Sequence, residues 1–359
     1  MKFSTGVLAL VHLLFSAVAA CAAPVWHAAT EFEIEGRGWT NTASPYHRLP
    51  SDAKDRVPES VWGLARHSAG LAVRFETTAD RVQVRWTLAD ASLAMPHMPA
   101  TGVGGVDLYQ RGAGQKWTFV QNGRPVGREN NLAGFDLGAS TNAHECLLYL
   151  PLYNGVEKLE IGIEPGAEIR PAQARRANLQ RPVVFYGTSI VQGGCASRPG
   201  LAHVAILGRM LDRPVVNLGF SGAGRMEPGV VGMLAELDPA AFVIDCVWNI
   251  TDLEPAEVER RVVSLVKTLR AARPRVPIVL VAQSNIRPER HPTPGSMAQE
   301  KAAKVLRDAG DFRLAWIDGA MLLGTDGEGT VDGVHPNDLG MMRQAQAMFP
   351  VVRRSVEDW

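Results

Sequence analysis

Four short stretches in the second half of the chain carry residue types suited to acyl-transfer chemistry. Gly187-Thr188-Ser189-Ile190 follows an apolar run. A strand-to-helix turn there would expose the Ser189 hydroxyl together with its own backbone N–H, as a serine nucleophile requires, although Gly-Thr-Ser is also ordinary helix-capping chemistry. The next apolar run ends in Asn217-Leu218-Gly219-Phe220-Ser221-Gly222. Glycine at such an end lets the backbone approach a ligand and aim an N–H at a developing oxyanion; by itself it reads first as a tight turn. Val247-Trp248-Asn249-Ile250 closes a third run and offers the Asn249 amide at the same edge, where a lone Asn is commonly a turn former. Finally, Asp332-Gly333-Val334-His335 precedes an apolar-periodic segment from Leu339 to Phe349 that Asn337 can cap. Three residues apart in a turn, the Asp332 carboxylate can hold one nitrogen of His335 while the other faces a serine, which describes a general base with an oriented tautomer.

Several rival chemistries fail on spacing. No Lys follows Gly187-Thr188-Ser189 to make a phosphate loop, and Gly219 to Gly224 does not fit G-x-G-x-x-G. No two histidines lie within five positions of each other, which removes the simple zinc signatures. Histidines other than His335 therefore read as surface or core side chains, and no metal ligands are expected. Cys146, Cys195 and Cys246 leave one thiol over whatever pairs; a Cys195–Cys246 bridge and three small buried residues are both open. Asn249-Ile250-Thr251 is a glycosylation sequon, but a bacterial-type leader and an inner-cleft position argue against a sugar there.

Two textures position these residues. From about Glu31 to Glu164 short alternating runs recur, among them Leu71–Phe75, Val82–Trp86, Cys146–Leu150 and Lys158–Ile163, each bounded by turn-forming residues. Period-two alternation with such punctuation predicts antiparallel strands, and with no long amphipathic helix the expected form is a β-sandwich. Pro165 to Pro182 is polar and Arg-rich, suiting a linker. Beyond it, apolar runs at Pro182–Tyr186, Pro214–Leu218, Ala241–Asp245, Pro277–Val281 and Leu314–Ile317 alternate with helical stretches, the clearest spanning Pro255 to Ala272. Near-continuous apolar strands separated by helices predict a parallel sheet covered on both faces, with active residues in loops beyond the strands' carboxyl ends.

The 359 residues suffice for about two domains. Met1 to Ala23 reads as an export signal, giving expected units 1–23, 24–175 and 176–359. Its Val18-Ala19-Ala20-Cys21 resembles a lipobox, so a lipid anchor on Cys21 and ordinary cleavage near Ala20 or Ala23 are both open. No apolar run reaches the roughly 20 residues of a membrane span, so a soluble periplasmic or extracellular protein, or a lipoprotein, is expected. The 37 basic residues balance 37 acidic ones; removing Lys2 with the leader leaves a net charge of −1. Nucleic acid as a partner would need a basic excess, and near-neutrality suits an uncharged substrate such as an acylated glycan.

The order Ser189, Gly222, Asn249, Asp332-x-x-His335 resembles the SGNH (GDSL-type) hydrolases across the whole second domain. The stretch Gly187 to Gly200, together with Gly105-Val106-Asp107-Leu108-Tyr109, is similar to a bacterial esterase subgroup with an N-terminal G-x-D-L-Y β domain. This resemblance implies an α/β fold: a three-layer flavodoxin-like hydrolase domain preceded by a jelly-roll-like sandwich. It implies Ser189 as nucleophile, His335 as base and Asp332 as its orienting partner. The Ser189 and Gly222 N–H groups and the Asn249 amide would form the oxyanion hole, with no metal or organic cofactor. Two positions depart from the family pattern: Thr188 replaces the Asp before the nucleophile, as in the subgroup, and Val247 replaces a Gly two residues before Asn249 and would narrow or redirect the cleft. The expected activity is hydrolysis of small, acetyl-type esters on carbohydrate, with two alternatives: a lipase or thioesterase on longer chains, or a non-catalytic glycan-binding protein. The Ser284–Ser296 loop could line the acceptor side or be a solvated loop; the Asp107/Tyr109 pair could reach over the cleft or stay within the sandwich. Fatty-acid labelling separates the two processing routes: lipidation predicts a label that Cys21→Ser abolishes, and ordinary cleavage predicts none.

Overall fold

Residues 25–171 form ten strands: β1 (Val25–Ala28), β2 (Glu33–Glu35), β3 (Ala72–Thr77), β4 (Arg81–Leu88), β5 (Val106–Arg111), β6 (Thr118–Gly123), β7 (Asn131–Asp136), β8 (His144–Tyr149), β9 (Val156–Ile163) and β10 (Ile169–Pro171). They are seen in a computed structural model that describes residues 22–357 except 113, 141 and 321, so the expected leader through Cys21 lies outside the described residues. One antiparallel sheet runs β1-β9-β4-β7; the other runs β10-β3-β8-β5-β6, with β2 paired to the other end of β3 from β10. Alternation along β4 explains the sandwich: Val82, Val84, Trp86 and Leu88 point into a core with Phe75, Leu108, Phe135, Leu148 and Ile161, while Arg81 is exposed and Gln83 and Arg85 are partly so.

The remaining strands are β11 (Val183–Gly187), β12 (Val215–Gly219), β13 (Ala241–Asp245), β14 (Ile278–Val281) and β15 (Leu314–Ile317), all parallel in the order β12-β11-β13-β14-β15. The order reverses beside β11, the topological switch point where open parallel sheets place their ligands. Eight helices are described in chain order: α1 (Glu59–Leu64), α2 (Ala100–Val103), α3 (Ser189–Gln192), α4 (His203–Leu211), α5 (Pro228–Leu234), α6 (Pro255–Ala272), α7 (Pro294–Asp308) and α8 (Asp338–Glu357). Val184, Tyr186, Val216, Phe242 and Ile244 face α5, α6 and α7, whereas Val183, Phe185, Val215, Val243 and Val279 face α4 and α8. Both faces are buried, which is why these strands lack polar alternation.

Sequence patterning missed one feature of the first half. Between β2 and β3 the chain leaves the sandwich, and Leu49, Ala53, Val57, Val61 and Ala65 join the core on the α5–α7 side of the parallel sheet. That segment is held by short-range turns and small apolar residues, too brief for a periodic signal.

The sandwich also braces the second domain directly. On β5, Asp107 is fully buried and accepts from Arg198 Nη1 (2.8 Å), the Gly200 N–H (2.8 Å) and Asn122 Nδ2 (2.7 Å). Tyr109 accepts from the same Arg198 nitrogen at 2.8 Å, and the Arg198 guanidinium lies 3.6 Å from the Phe119 ring centroid. Thus Asp107 and Tyr109 hold the loop that follows α3. Truncating one partner of a buried ion pair typically costs about 3–5 kcal/mol because the other charge is stranded. Asp107→Ala should therefore lower the unfolding free energy by about that amount in urea titration, whereas Asp80→Ala on an exposed turn should change it by less than about 0.5 kcal/mol.

Candidate active site

Ser189 lies at the first position of α3, immediately beyond β11. The capping chemistry visible in the sequence belongs to its neighbour: Thr188 Oγ1 accepts the Ile190 N–H at 3.2 Å. The Ser189 hydroxyl is free for another partner and meets His335 Nε2 at 2.8 Å. His335 comes from the loop before α8, whose first turn is capped by Asn337 Oδ1 accepting the Gly340 N–H at 3.0 Å. Its Nδ1 is 2.7 Å from Asp332 Oδ2, while Asp332 Oδ1 accepts the N–H groups of His335 (2.8 Å) and Val334 (3.0 Å). Burial alone would raise the Asp332 carboxyl, but these backbone and ring donors outweigh it and hold it below its ordinary value, so it is ionised at neutral pH. With Nδ1–H committed to Asp332, Nε2 is left to accept from the serine.

The other two sequence candidates meet each other at the loop after β12, where the Asn249 side chain packs against Phe220, Ala223 and Gly224. Gly222 has φ +70°, a left-handed conformation that suits glycine, and open space where a side chain would stand. Asn249 sits on the turn after β13, where Arg225 binds its carbonyl and pairs with Asp252 at 2.8–2.9 Å. Oriented so that its amide oxygen accepts from the Ala223 (3.3 Å) and Gly224 (3.2 Å) N–H groups, the side chain directs its NH2 to the side that offers acceptors. Val247 is fully buried and its methyl lies 3.1 Å from the site of a Cβ on Gly295, so it packs under α7 instead of narrowing the cleft.

A second layer absent from sequence reasoning fixes the Gly219–Gly222 loop. Arg48 is 1% exposed and donates to four carbonyls: His67 (2.9 Å), Leu64 (2.7 Å), Asn217 (3.1 Å) and Gly219 (2.7 Å). Burial without a carboxylate partner draws its pKa down to about 9, against a smaller upward effect of Tyr153. Gln192 Oε1 accepts the Ser221 N–H at 3.1 Å, and its amide nitrogen reaches Leu152 O and His67 Nδ1, both at 3.1 Å. Burial, Arg48 and Arg66 bring the His67 pKa down to about 4, keeping Nδ1 an acceptor. Gly219 admits no side chain, since a Cβ there would lie 2.1 Å from Gln192 N. Gln192 stands within the serine block and its type could have flagged it; nothing in the sequence around Arg48 marks that residue.

Cys146, Cys195 and Cys246 are all free and buried, so the Cys195–Cys246 bridge does not form. Cys246 stacks under β11, its thiol directed to Tyr186 O, whereas Cys195 faces the His335 loop. The Ser284–Ser296 loop is folded against the sheet: Ser284 accepts from Trp248 Nε1 at 3.0 Å, and His291, with its side chain 4% exposed, meets Asp318 at 2.7 Å. These contacts anchor the loop at Ser284 and His291, while Arg287, Glu289, Arg290 and Pro292 between and beside them are exposed to solvent. His203, buried with neither ring nitrogen partnered among the described residues, is a core histidine.

A serine-bearing turn at the switch point of a flavodoxin-like sheet, its hydroxyl joined to a His–Asp pair before the last helix, is the arrangement of an SGNH-type hydrolase. Residues 180–353 match the GDSL-like lipase/acylhydrolase family, and residues 25–169 match the N-terminus of SGNH-hydrolase-type esterases known as GxDLY; the chain belongs to this family. Among solved structures it is similar to a GDSL-like lipase from Bacteroides ovatus (34% identity, TM-score 0.83, covering 93% of this chain and 98% of that one). The fold is also shared with the salicylyl-acyltransferase SsfX3 of a tetracycline biosynthetic pathway (18%, 0.75, 94% and 98%). So is that of an acetyl xylan esterase, Est2A, from the rumen bacterium Butyrivibrio proteoclasticus (11%, 0.58, 93% and 100%). No curated protein matched the chain.

Asp245, at the end of β13, has one described partner, Gln344 Nε2 at 3.3 Å, and burial pushes its carboxyl up to about 7 against that bond. Gln344 Oε1 is buried without a partner among the described residues, so a neutral Asp245 could donate to it once the amide turns. Between an unfolded value of about 4 and the folded value of about 7 the native state holds the extra proton. Stability should thus fall as pH rises through that window, by up to about 1.4 kcal/mol per unit, and urea titrations at several pH values should show Asp245→Asn flattening the dependence. Arg48→Lys keeps the charge but loses the planar fork. It should lower kcat on a small ester by roughly 10², with KM little changed, if the loop it holds is catalytic.

Proposed function

We propose that this chain is an exported serine esterase that removes small acyl groups, acetyl foremost, from carbohydrate. The observation that carries the reading is the continuous row from Ser189 Oγ to His335 Nε2 (2.8 Å) and from His335 Nδ1 to Asp332 Oδ2 (2.7 Å). In this mechanism His335 takes the Ser189 proton as Oγ attacks the ester carbonyl, and Asp332 stabilises the imidazolium. The carbonyl oxygen becomes an oxyanion that accepts from the Ser189 and Gly222 N–H groups and the Asn249 amide. Collapse expels the sugar oxygen, which takes the proton from His335, leaving Ser189 acylated. Water, deprotonated by His335, attacks the acyl carbonyl; the second tetrahedral species collapses as His335 returns that proton to Ser189 Oγ, releasing the carboxylic acid, which loses its own proton to solvent.

Support for the substrate comes from three directions. Members of the fold include an acetyl xylan esterase, the near-neutral charge suits a glycan, and the leader-like Met1–Ala23 suits export. Among the described residues no helix is long and apolar enough to cross a membrane. The chain's partners on this reading are the acylated glycan itself and, if Cys21 is acylated, a lipid surface.

Acetate release from a panel of acetylated polysaccharides tests the proposal, with Ser189→Ala as control. Release by the parent protein and its loss in Ser189→Ala are expected; undiminished release by Ser189→Ala would refute the nucleophile. Asn249→Ala should lower turnover by about 10²–10³. Rates on p-nitrophenyl esters should fall steeply from acetyl to octanoyl; a rise would favour a lipase or thioesterase, and glycan binding without acyl release a non-catalytic role.

A further inference from the structure

Two groups that the esterase mechanism does not use converge on its base. The sandwich contributes His97, on the Met95–Met98 turn, whose ends are joined by reciprocal backbone hydrogen bonds of 2.9 and 3.1 Å. Met98 is buried in the core beside β11, which holds that turn over the cleft, and the His97 ring centroid lies 5.7 Å from that of His335. From the other side comes Cys195, three residues beyond α3, with φ +70°, an uncommon conformation for a side-chain-bearing residue. One nitrogen of His97, one of His335 and the Cys195 sulfur all lie within 4.8 Å of one another.

We propose that His97, Cys195 and His335 form a binding site for a thiophilic divalent cation of the zinc class, whose occupancy switches the hydrolase off. Two imidazoles and a thiolate are ligands that zinc and cadmium prefer over magnesium or calcium. Tetrahedral bonds of about 2.0–2.1 Å to nitrogen and 2.3 Å to sulfur set ligand atoms roughly 3.3–3.7 Å apart. The cluster must contract by at most about 1.5 Å, and the exposed His97 side chain is free to rotate toward the other two ligands. Because Asp332 engages His335 Nδ1 at 2.7 Å, Nε2 is the nitrogen available to a metal. Binding there breaks its 2.8 Å hydrogen bond with Ser189. Burial and the nearby Asp332 carboxylate hold the Cys195 thiol protonated in the metal-free protein, so it releases its proton to solvent only as the metal–sulfur bond forms, after which Asp332 balances the remaining positive charge. The fourth position is left to water. The spacing rule that removed zinc from the sequence reading missed this site because its ligands come from three separate segments.

The inhibitory consequence rests on His335 being the catalytic base, but metal binding can be read without it. Cadmium titrated into the full chain carrying Ser189→Ala should produce sulfur-to-metal ultraviolet absorption with one site per chain. The band should vanish in Cys195→Ser, and the affinity should drop at least tenfold in His97→Ala, an exposed position where folding is not at risk. No band, or an equal band in Cys195→Ser, would overturn the site. With Ser189 intact, zinc should inhibit ester hydrolysis, and the inhibition constant should rise at least tenfold in His97→Ala, each variant compared with its own metal-free rate. Equal inhibition in both would place the effect elsewhere. A protein that binds cadmium as expected but hydrolyses no ester would retain the metal site and lose only the esterase reading.

Discussion

The buried guanidinium of Arg48 is the constraint around which the site is assembled. A charge deprived of water must satisfy its donors on protein groups. With no carboxylate partner among the described residues, Arg48 spends them on the carbonyls of Leu64, His67, Asn217 and Gly219. Two of these carbonyls belong to the N-terminal segment and two to the end of β12, so one side chain joins the excursion between β2 and β3 to the loop that presents Gly222. The Phe220 ring, 4.9 Å away, covers its face. Gln192 and Asn217 extend the same logic: Gln192 takes the Ser221 N–H, while Asn217 Nδ2 binds Val191 O at 2.7 Å. The loop is thus tied to α3, which carries Ser189.

The sandwich acts on that body from the opposite side. Asp107 and Tyr109 fix the chain after α3 through Arg198 and Gly200, and Thr101 accepts a share by donating to Ser197 O. Ser197 in turn donates through its N–H (2.8 Å) and hydroxyl (2.6 Å) to Asp338, the first residue of α8. Since His335 lies three residues before Asp338, a β-strand carboxylate, the loop after Ser189 and the start of α8, just beyond His335, form one hydrogen-bonded sequence. The β domain supplies none of the three residues in the Ser–His–Asp row, yet it restrains the two loops on which that row depends. The His97 ring of the same domain lies 5.7 Å from that of His335.

Legibility followed the physical origin of each feature. The parallel strands could be read because burial on both faces forces uninterrupted apolar runs, and the Pro255–Ala272 helix because a single buried stripe recurs over five turns. Strand ends shifted by one or two residues, as at Val183–Gly187 and Ala72–Thr77, because hydrogen-bond register and not hydropathy sets them. The last helix runs on to Glu357, well beyond Phe349, since Val352 and Val356 continue the buried stripe past Pro350. The first half was read as strands and turns alone because α1 and α2 span six and four residues, too few for a periodic signal.

By itself the sequence determined the chemistry available: Ser189, Gly222, Asn249, Asp332 and His335 stand at strand ends or a helix entrance, where local patterning places them regardless of distant contacts. The Asp332–His335 pair is a three-residue turn and was legible for the same reason. Only the tertiary structure decided which residues hold those groups still. Arg48 meets Gly219 across 171 positions, Asp107 meets Gly200 across 93, and Gln192 meets His67 across 125. Such partners are chosen by where buried polar groups end up once two domains pack, and no local periodicity encodes that pairing.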